Sequence, residues 1–198
     1  MNYLAHIFLS GNNGKRRVGG FIADFVKGSR FEQYPFDLKQ GIILHRKIDA
    51  YTDAHDKVRE AKNILRPYFG RYSGIVLDIF YDHFLAKNMS DYAPEGLLKF
   101  TRNFYMDMIA CQQYLPLSVK SFAWHFIMTN RLYKYSKQSG VEHSLKIMSC
   151  YYSLPPIGGE AIVVLNKYNR ELEQNFREFF PDAQQLSADF IRNEQRPA

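Results

Sequence analysis

The segment from Ser73 to Ala86, SGIVLDIFYDHFLA, places two aspartates and one histidine in an otherwise apolar run that contains no Lys or Arg. Asp78 and Asp82 are four residues apart, so on an α-helix both carboxylates lie on one face and His83 is turned to the side. A helix this apolar is expected to be buried. Because a buried carboxylate must be compensated, the pair predicts a cation nearby, and a divalent metal is the simplest one.

Other ionisable residues with apolar neighbours also lie before residue 90. His6 occurs in YLAHIFL, Asp24 in GGFIADFVKG, and His45 with Asp49 in GIILHRKID. The last two repeat the one-turn spacing, so two antiparallel helices could present His/Asp pairs across one gap. Imidazole and carboxylate ligands suit Mn²⁺, Fe²⁺, Zn²⁺ or Mg²⁺, and a mixed set is typical of catalytic sites. We therefore predict a metal site in the N-terminal half.

Each of these residues also has an ordinary structural interpretation. A single histidine on an apolar helix face, such as His6, is more often a hydrogen-bonded core residue than a ligand. Asp24 could pair with Lys27 at the i+3 position of a helix. Asp49 could pair with Arg46, or orient the neighbouring histidine from outside the ligand set. The metal-site interpretation is favoured because all these features occur together.

Two further choices stay open. Asp53 is expected to be the N-cap of a helix that begins near His55, and His55 is then either a loop ligand or a solvated residue of the first turn. Asp82 and His83 compete, because the rotation of about 100° between adjacent helical residues lets only one of them face a metal with Asp78. Asp78 is the preferred ligand and Asp82 the second choice.

The hydrophobic pattern predicts an all-α protein. Nearly every segment has the 3.6-residue period of an amphipathic helix, and strand signals are weak. We expect one compact domain over residues 1–198, built from about ten helices that are separated at Gly and Pro positions such as Pro181. The first ten residues, MNYLAHIFLS, are expected to form a helix rather than a signal peptide.

Composition limits the location and the partners. The net charge of +6 and the pI near 9.2 favour an acidic partner. The basic residues are scattered and form no nucleic-acid-binding motif, and no apolar run is long enough to span a bilayer. Cys111 and Cys150 have no metal-ligand spacing, so we expect buried thiols in a reducing cytoplasm.

Four motifs carry a resemblance to a known family. MNYLAHIFLS, GGFIADFVKG, GIILHRKIDAYTDAH and YSGIVLDIFYDHFLAKN, in this order, resemble the acyl carrier protein phosphodiesterase family. The similarity continues to NRELEQNFREFFP, although the specific motifs end near Asn88. The resemblance implies a helical fold like that of HD phosphohydrolases and a divalent metal, usually manganese. The ligand positions that it implies are His6, Asp24, His45 and Asp78, with Asp82 as the alternative.

The resemblance also implies a reaction. Family members hydrolyse the phosphodiester that joins phosphopantetheine to a serine of holo acyl carrier protein, which leaves the apo form. Such a reaction needs an activated water, positive charge for the phosphoryl oxygens, and a proton for the leaving serine. The expected catalytic residues are Asp24 or Asp82 as the base, His55 or His83 as the acid, and Lys27 with Arg46 as the phosphate-binding cations.

The acidic holo acyl carrier protein is therefore the expected partner, and neither nucleic acid nor a membrane is expected to bind. Two alternatives remain at this point. One is a phosphohydrolase of the HD type that acts on a nucleotide or another small phosphoester through the same ligands. The other is a non-catalytic, basic helical binding module whose His/Asp cluster is structural.

Overall fold

The computed structural model describes residues 1–151 and 154–194. This part of the chain contains twelve α-helices and no β-strand. The α-helices are α1 (Tyr3–Leu9), α2 (Gly14–Ile22), α3 (Phe36–Ala54), α4 (Asp56–Phe69), α5 (Ser73–Lys87), α6 (Met89–Tyr92), α7 (Gly96–Ala110), α8 (Leu117–Met128), α9 (Arg131–Lys134), α10 (Gln138–Tyr151), α11 (Gly158–Lys167) and α12 (Asn169–Glu194). The 3-10 helices are Ala23–Phe25, Gly28–Gln33, Gly70–Tyr72 and Gln112–Tyr114.

These elements confirm the predicted all-α class. The count exceeds the ten or so helices that were expected because α6 and α9 have only four residues each. Helices this short carry too few residues to show a hydrophobic period. The first ten residues do contain a helix, α1, as predicted.

Helix α5 lies at the centre of the fold and packs against α1, α4, α10 and α12. Its side chains from Ile79 to Ala86 are all buried. This explains why its sequence is apolar on every face, and it confirms the predicted burial of the segment. None of the helices in the described ranges combines the length and the apolar character that crossing a bilayer requires.

Helices α2 and α3 cross at very short distance through two glycines. A Cβ atom on Gly19 would lie 2.1 Å from the carbonyl oxygen of Leu38, and one on Gly41 would lie 2.1 Å from the carbonyl oxygen of Arg16. No larger residue fits at either position without moving the backbone. The crossing therefore brings the backbone of α2 next to the side chains of α3.

Helix α12 differs from the sequence-based expectation because it continues through Pro181. A proline inside a helix loses one backbone hydrogen bond and strains the preceding turn. Here Phe179, Phe180 and Ala183 are all fully buried on either side of the proline. Burial of this apolar face offsets the local cost, so Pro181 does not mark a helix boundary.

The junction between α3 and α4 also differs from the prediction. Asp53 is not an N-cap, because α3 extends to Ala54 and the exposed Asp53 carboxylate pairs with Lys62 at 2.8 Å. His55 takes the N-cap position of α4 instead, and its Nδ1 accepts a hydrogen bond from the backbone N–H of Lys57. A histidine side chain can cap a helix when its unprotonated nitrogen faces the first turn.

The two cysteines are unlike each other. Cys111 is buried, as expected, whereas Cys150 is exposed near the C-terminal end of α10. The expectation of two buried thiols is therefore wrong for Cys150.

Candidate metal centre

Helices α1 and α3 bring two histidines and one aspartate together. His6 comes from α1, and His45 and Asp49 lie one turn apart on α3. Each residue offers one ligand atom, and the three atoms lie within 4.8 Å of one another. Both imidazoles are buried, and Asp49 is partly exposed. The group therefore has the donor chemistry and the spacing of a site for a divalent cation.

The hydrogen bonds of His45 indicate a positive charge at its Nε2 atom. Its Nδ1 donates to the carbonyl oxygen of Gly20 at 2.7 Å, since a carbonyl can only accept. Its Nε2 lies 3.0 Å from an oxygen of Asp49 and 3.2 Å from an oxygen of Asp24. A neutral imidazole has only one N–H. The Nε2 atom therefore needs either a second proton or a metal ion between it and the two carboxylates.

His6 has a similar arrangement. Its Nε2 lies 3.0 Å from the backbone oxygen of Met1 and 3.0 Å from the second carboxylate oxygen of Asp49. Its Nδ1 is buried and has no hydrogen-bond partner among the described residues. Asp49 thus directs one oxygen to each histidine. A bridging carboxylate between two imidazoles fits a bound divalent ion well.

The pKa shifts follow from this geometry. Burial, and next the charge of His45, lower the pKa of His6 to about 4. Burial opposes a charge on His45 as well, but hydrogen bonds to Asp24 and Asp49 outweigh it and raise its pKa to about 9. For Asp49, the two histidines outweigh burial and hold its pKa well below the usual range. The site therefore favours one positive charge among ionised carboxylates.

Asp24 lies at the solvent-facing edge of this group. It belongs to the 3-10 helix Ala23–Phe25, and its side chain is 65% exposed. Its partner is His45 rather than Lys27, and this hydrogen bond lowers the pKa of the Asp24 carboxyl. Lys27 follows in the next loop with its side chain in solvent. The alternative in which Asp24 forms a salt bridge with Lys27 is therefore not found among the described residues.

Arg46 supports the loop that carries Asp24. Its guanidinium donates to the carbonyl oxygens of Val26 at 2.7 Å and Gly28 at 3.0 Å. The same group lies 4.8 Å from the centre of the Phe31 ring, within the range of a cation–π contact. These contacts fix the position of the guanidinium. Arg46 acts here as a support for the loop, and it makes no ion pair with Asp49 among the described residues.

Asp78 lies beside the group rather than within it. Its carboxylate is 3.1 Å from the α-amino nitrogen of Met1, which is itself 3.9 Å from Asp49. Burial opposes a charge on this α-amino group, but Asp78 and Asp49 more than offset it and raise its pKa. Burial raises the pKa of Asp78, and the ammonium only partly offsets that effect. The α-amino group of Met1 is thus a second positive group, besides His45, next to the carboxylates of Asp49 and Asp78.

Asp82 and His83 have other roles than those expected. The two carboxylate oxygens of Asp82 accept hydrogen bonds from the backbone N–H groups of Leu4 at 2.8 Å and Ala5 at 3.0 Å. The side chain of Asn2, the N-cap residue, makes no such bond, so Asp82 caps α1 from α5. Burial raises the pKa of Asp82 to about 7, although the two hydrogen bonds act in the opposite direction and lower it. The compensation that the structure shows for its charge is therefore a helix N-terminus.

His83 is not part of the His6, His45 and Asp49 group. Its Nδ1 donates to the carbonyl oxygen of Tyr135 at 2.7 Å, 52 residues further along the chain. The ring is buried, and burial lowers its pKa. The competition between Asp82 and His83 for the inward position has a different outcome from the expectation. Asp82 binds backbone groups of α1, and His83 binds the carbonyl of Tyr135, which directly follows α9.

His55 is likewise engaged elsewhere. Besides capping α4, its Nε2 lies 3.2 Å from the Asp182 carboxylate, and its ring packs against Phe179. With Asp56 it forms a contiguous His–Asp pair, the pattern for which HD enzymes are named. Asp56 is exposed and pairs with Arg59 at 3.0 Å. This pair does not join the His6 group among the described residues.

Asp49 is the site residue that the sequence left outside the ligand set. The sequence left two alternatives for it, a pair with Arg46 or a contact that orients His45. The structure contains the contact with His45 and adds one with His6. The available signal was its i+4 spacing from His45 on α3, which places both side chains on one face. The sequence could not indicate that the carbonyl of Gly20 binds His45, because every residue has a backbone carbonyl.

Comparison with known proteins shows to which family the chain belongs. The family described as acyl carrier protein phosphodiesterase matches residues 1–183 of the chain. The chain belongs to this family. No solved structure matches the chain, so the HD-like arrangement stays a prediction.

Relatives named acyl carrier protein phosphodiesterase differ in their sequence identity to the chain and in the length over which they match it. A protein of that name from Shigella boydii serotype 18 is 29% identical over 185 residues, which cover 91% of this chain and 94% of the relative. One from Enterobacter sp. (strain 638) is 41% identical over 95 residues, and one from Salmonella agona is 39% identical over 95 residues. These last two matches span about half of the relatives' length, 49% each.

Proposed function

We propose that this member of the acyl carrier protein phosphodiesterase family is a metal-dependent hydrolase that removes phosphopantetheine from holo acyl carrier protein. The observation that carries the proposal is the position of the Nε2 atom of His45, which faces the carboxylates of Asp24 and Asp49 while Nδ1 is bound to a carbonyl. An arrangement of acceptors around an imidazole nitrogen supports a cation at this point.

His6, His45 and Asp49 would hold the ion, with the carboxylate of Asp24 beside His45 and that of Asp78 beside the α-amino group of Met1. A divalent ion bound there supplies positive charge that polarises a phosphodiester and eases the ionisation of a nucleophilic water. Mn²⁺ is the preferred ion because of the resemblance to the family, and Mg²⁺, Fe²⁺ and Zn²⁺ also suit these ligands.

The residues of the chain have separate tasks in this proposal. Asp24 is exposed at the edge of the group and ionised, so it can accept a proton from the attacking water. Lys27, in the adjacent loop, is free to approach the phosphoryl oxygens. Arg46 positions the loop through Val26 and Gly28 and is less available for the substrate. Asp82 and His83 position helices.

The partner in this proposal is an acidic protein in the cytoplasm, which suits the net charge of +6. The test is to incubate the purified protein with holo acyl carrier protein and Mn²⁺ and to measure the mass of the carrier protein. We expect it to lose the phosphopantetheine group, and we expect a chelator to prevent the loss. An unchanged mass, together with hydrolysis of a nucleotide, would show a small phosphoester hydrolase instead.

A further inference from the structure

Helix α8 exposes a stripe of large apolar side chains. Leu117 is 84% exposed, Trp124 61% and Met128 79%. The spacings of seven and four residues place all three on one face of the helix. The opposite face, which includes Phe126, is buried in the core. A large apolar stripe that no other part of the described chain covers is typical of an interaction surface.

The stripe borders a groove between the end of α7 and α8. The groove has a volume of about 430 Å³, and its walls are mainly apolar, with Ile109, Leu115 and Ile127 among them. Lys120 and Trp124 also line it. The surface therefore combines an apolar recess with a charged side chain at its border.

Charge on this part of the chain is of one sign. Residues 108–141 include no Asp and no Glu, but they include Lys120, Arg131, Lys134 and Lys137. None of these four cations forms an ion pair with a residue in the described part of the chain. The positive charge of this surface is thus left for an external partner.

Two of these cations, Arg131 and Lys134, both lie near His143. Burial lowers the pKa of His143, and the next causes are Arg131 and Lys134, followed by His125 and Lys146. On α4, by contrast, Lys57, Arg59 and Lys62 each pair with a carboxylate.

We propose that the exposed stripe of α8, with Lys120, Arg131 and Lys134 around it, is a docking surface for an acidic protein that presents apolar side chains among its carboxylates. This inference rests on the proposed function, and the docked protein is then the acyl carrier protein substrate. A second copy of this chain is a poor occupant, because a symmetric contact would place the same cations against each other.

The inner side of α8 connects this surface to the metal centre. The ring of Phe122 on α8 packs against the ring of Phe25 with 5.8 Å between centroids. Phe25 directly follows Asp24 in the 3-10 helix Ala23–Phe25. Helix α8 thus contacts the docked protein on its outer face and, on its inner face, the segment that carries the exposed carboxylate of Asp24.

Trp124 provides a direct measurement, because it is the chain's single tryptophan. The full-length protein is titrated with apo acyl carrier protein that lacks tryptophan, and the emission of Trp124 is followed. The apo form is the reaction product and cannot be hydrolysed, so the experiment measures docking alone. We expect a blue shift that saturates, and weaker binding as salt is raised.

The variant K120E/K134E tests the charges. We expect its dissociation constant for apo acyl carrier protein to rise about tenfold or more. The matched control is R66E/R170E, which changes the net charge equally at two exposed arginines outside the surface. The control should bind as the wild type does, and both variants should keep the wild-type unfolding midpoint.

Three results would overturn the docking surface. One is wild-type affinity in K120E/K134E while the wild-type protein hydrolyses holo acyl carrier protein, which leaves the proposed function intact. Another is an equal loss of affinity in both double variants, which would indicate an effect of net charge alone. The third is an emission shift with anionic phosphatidylglycerol vesicles and none with carrier protein, which would indicate a membrane. Absence of both binding and hydrolysis with carrier protein would instead reject the proposed function itself.

Discussion

The imidazole rings of His6 and His45 stack with 3.7 Å between their centroids and 19° between their planes. Two imidazolium ions this close would repel each other strongly, which agrees with the opposite directions of their pKa shifts. A metal ion that binds both rings and Asp49 would remove the need for either proton. The stack also joins α1 to α3, so the site and the packing of these helices depend on each other.

Asp49 is expected to be essential for metal binding. The substitution Asp49→Asn leaves only one oxygen for the two histidines, so we expect the affinity for Mn²⁺ to fall at least about tenfold. Isothermal titration calorimetry measures this directly. Asp53→Asn is the matched control, because Asp53 lies one turn further along the same helix and pairs with Lys62. Equal affinities in the two variants would contradict the assignment of Asp49 as a ligand.

The α2–α3 crossing should not tolerate a methyl group. Gly41→Ala would place a Cβ 2.1 Å from the carbonyl oxygen of Arg16, so the helices must separate. We expect a loss of about 1 to 3 kcal/mol in the free energy of unfolding. The affinity for Mn²⁺ should fall as well, because separation of the helices would move the carbonyl of Gly20 away from His45. Gly159→Ala, where nothing lies within 4 Å of the added Cβ, should not destabilise the protein. Equal stability of the two variants in urea would argue against the close crossing.

Asp82 should matter for stability more than for chemistry. Asp82→Ala leaves the buried amides of Leu4 and Ala5 without acceptors, and each such group costs about 1 to 3 kcal/mol. Asp82→Asn keeps one carbonyl acceptor and should lose less. Chemical denaturation of both variants gives the comparison. If Asp82 were a metal ligand instead, the asparagine variant would lose Mn²⁺ binding while it kept its stability.

His83 should make stability depend on pH. Burial lowers its pKa below the ordinary value of 6.5, so the unfolded chain binds a proton that the folded protein does not. As pH falls below that value, the wild type should therefore lose stability by at most about 1.4 kcal/mol per pH unit from this group. His83→Asn keeps an N–H for Tyr135 and should lack this contribution. Urea denaturation at several pH values measures the difference, and parallel curves would refute it.

Much of the site was predictable because its residues follow helix geometry. His6 and His45 were expected in the metal site from polar side chains on apolar helix faces, and the structure places them in ring contact. The burial of α5 followed from its composition for the same reason. These are local patterns of a single helix, which a sequence displays directly.

The remaining features depend on backbone groups of distant segments. Asp82 required compensation, and the sequence indicated this, but the N–H groups of Leu4 and Ala5 that provide it belong to any residue type. The same holds for Tyr135, whose carbonyl binds His83. Side-chain patterns contain no information on which main-chain atoms a fold brings near. Asp82 and His83 were therefore treated as competitors for a position at the metal.

The cap that α5 places on α1 has a consequence for protein synthesis. The three members of the ligand group lie within the first 49 residues, but the position of His6 depends on Asp82. A nascent chain that ends before residue 82 therefore contains every ligand and cannot yet hold them in place. If the proposed function is correct, metal would therefore be loaded late, after α5 has left the ribosome. Any mis-metallation would be decided by the ions available to the folded protein and not by those that meet the growing chain.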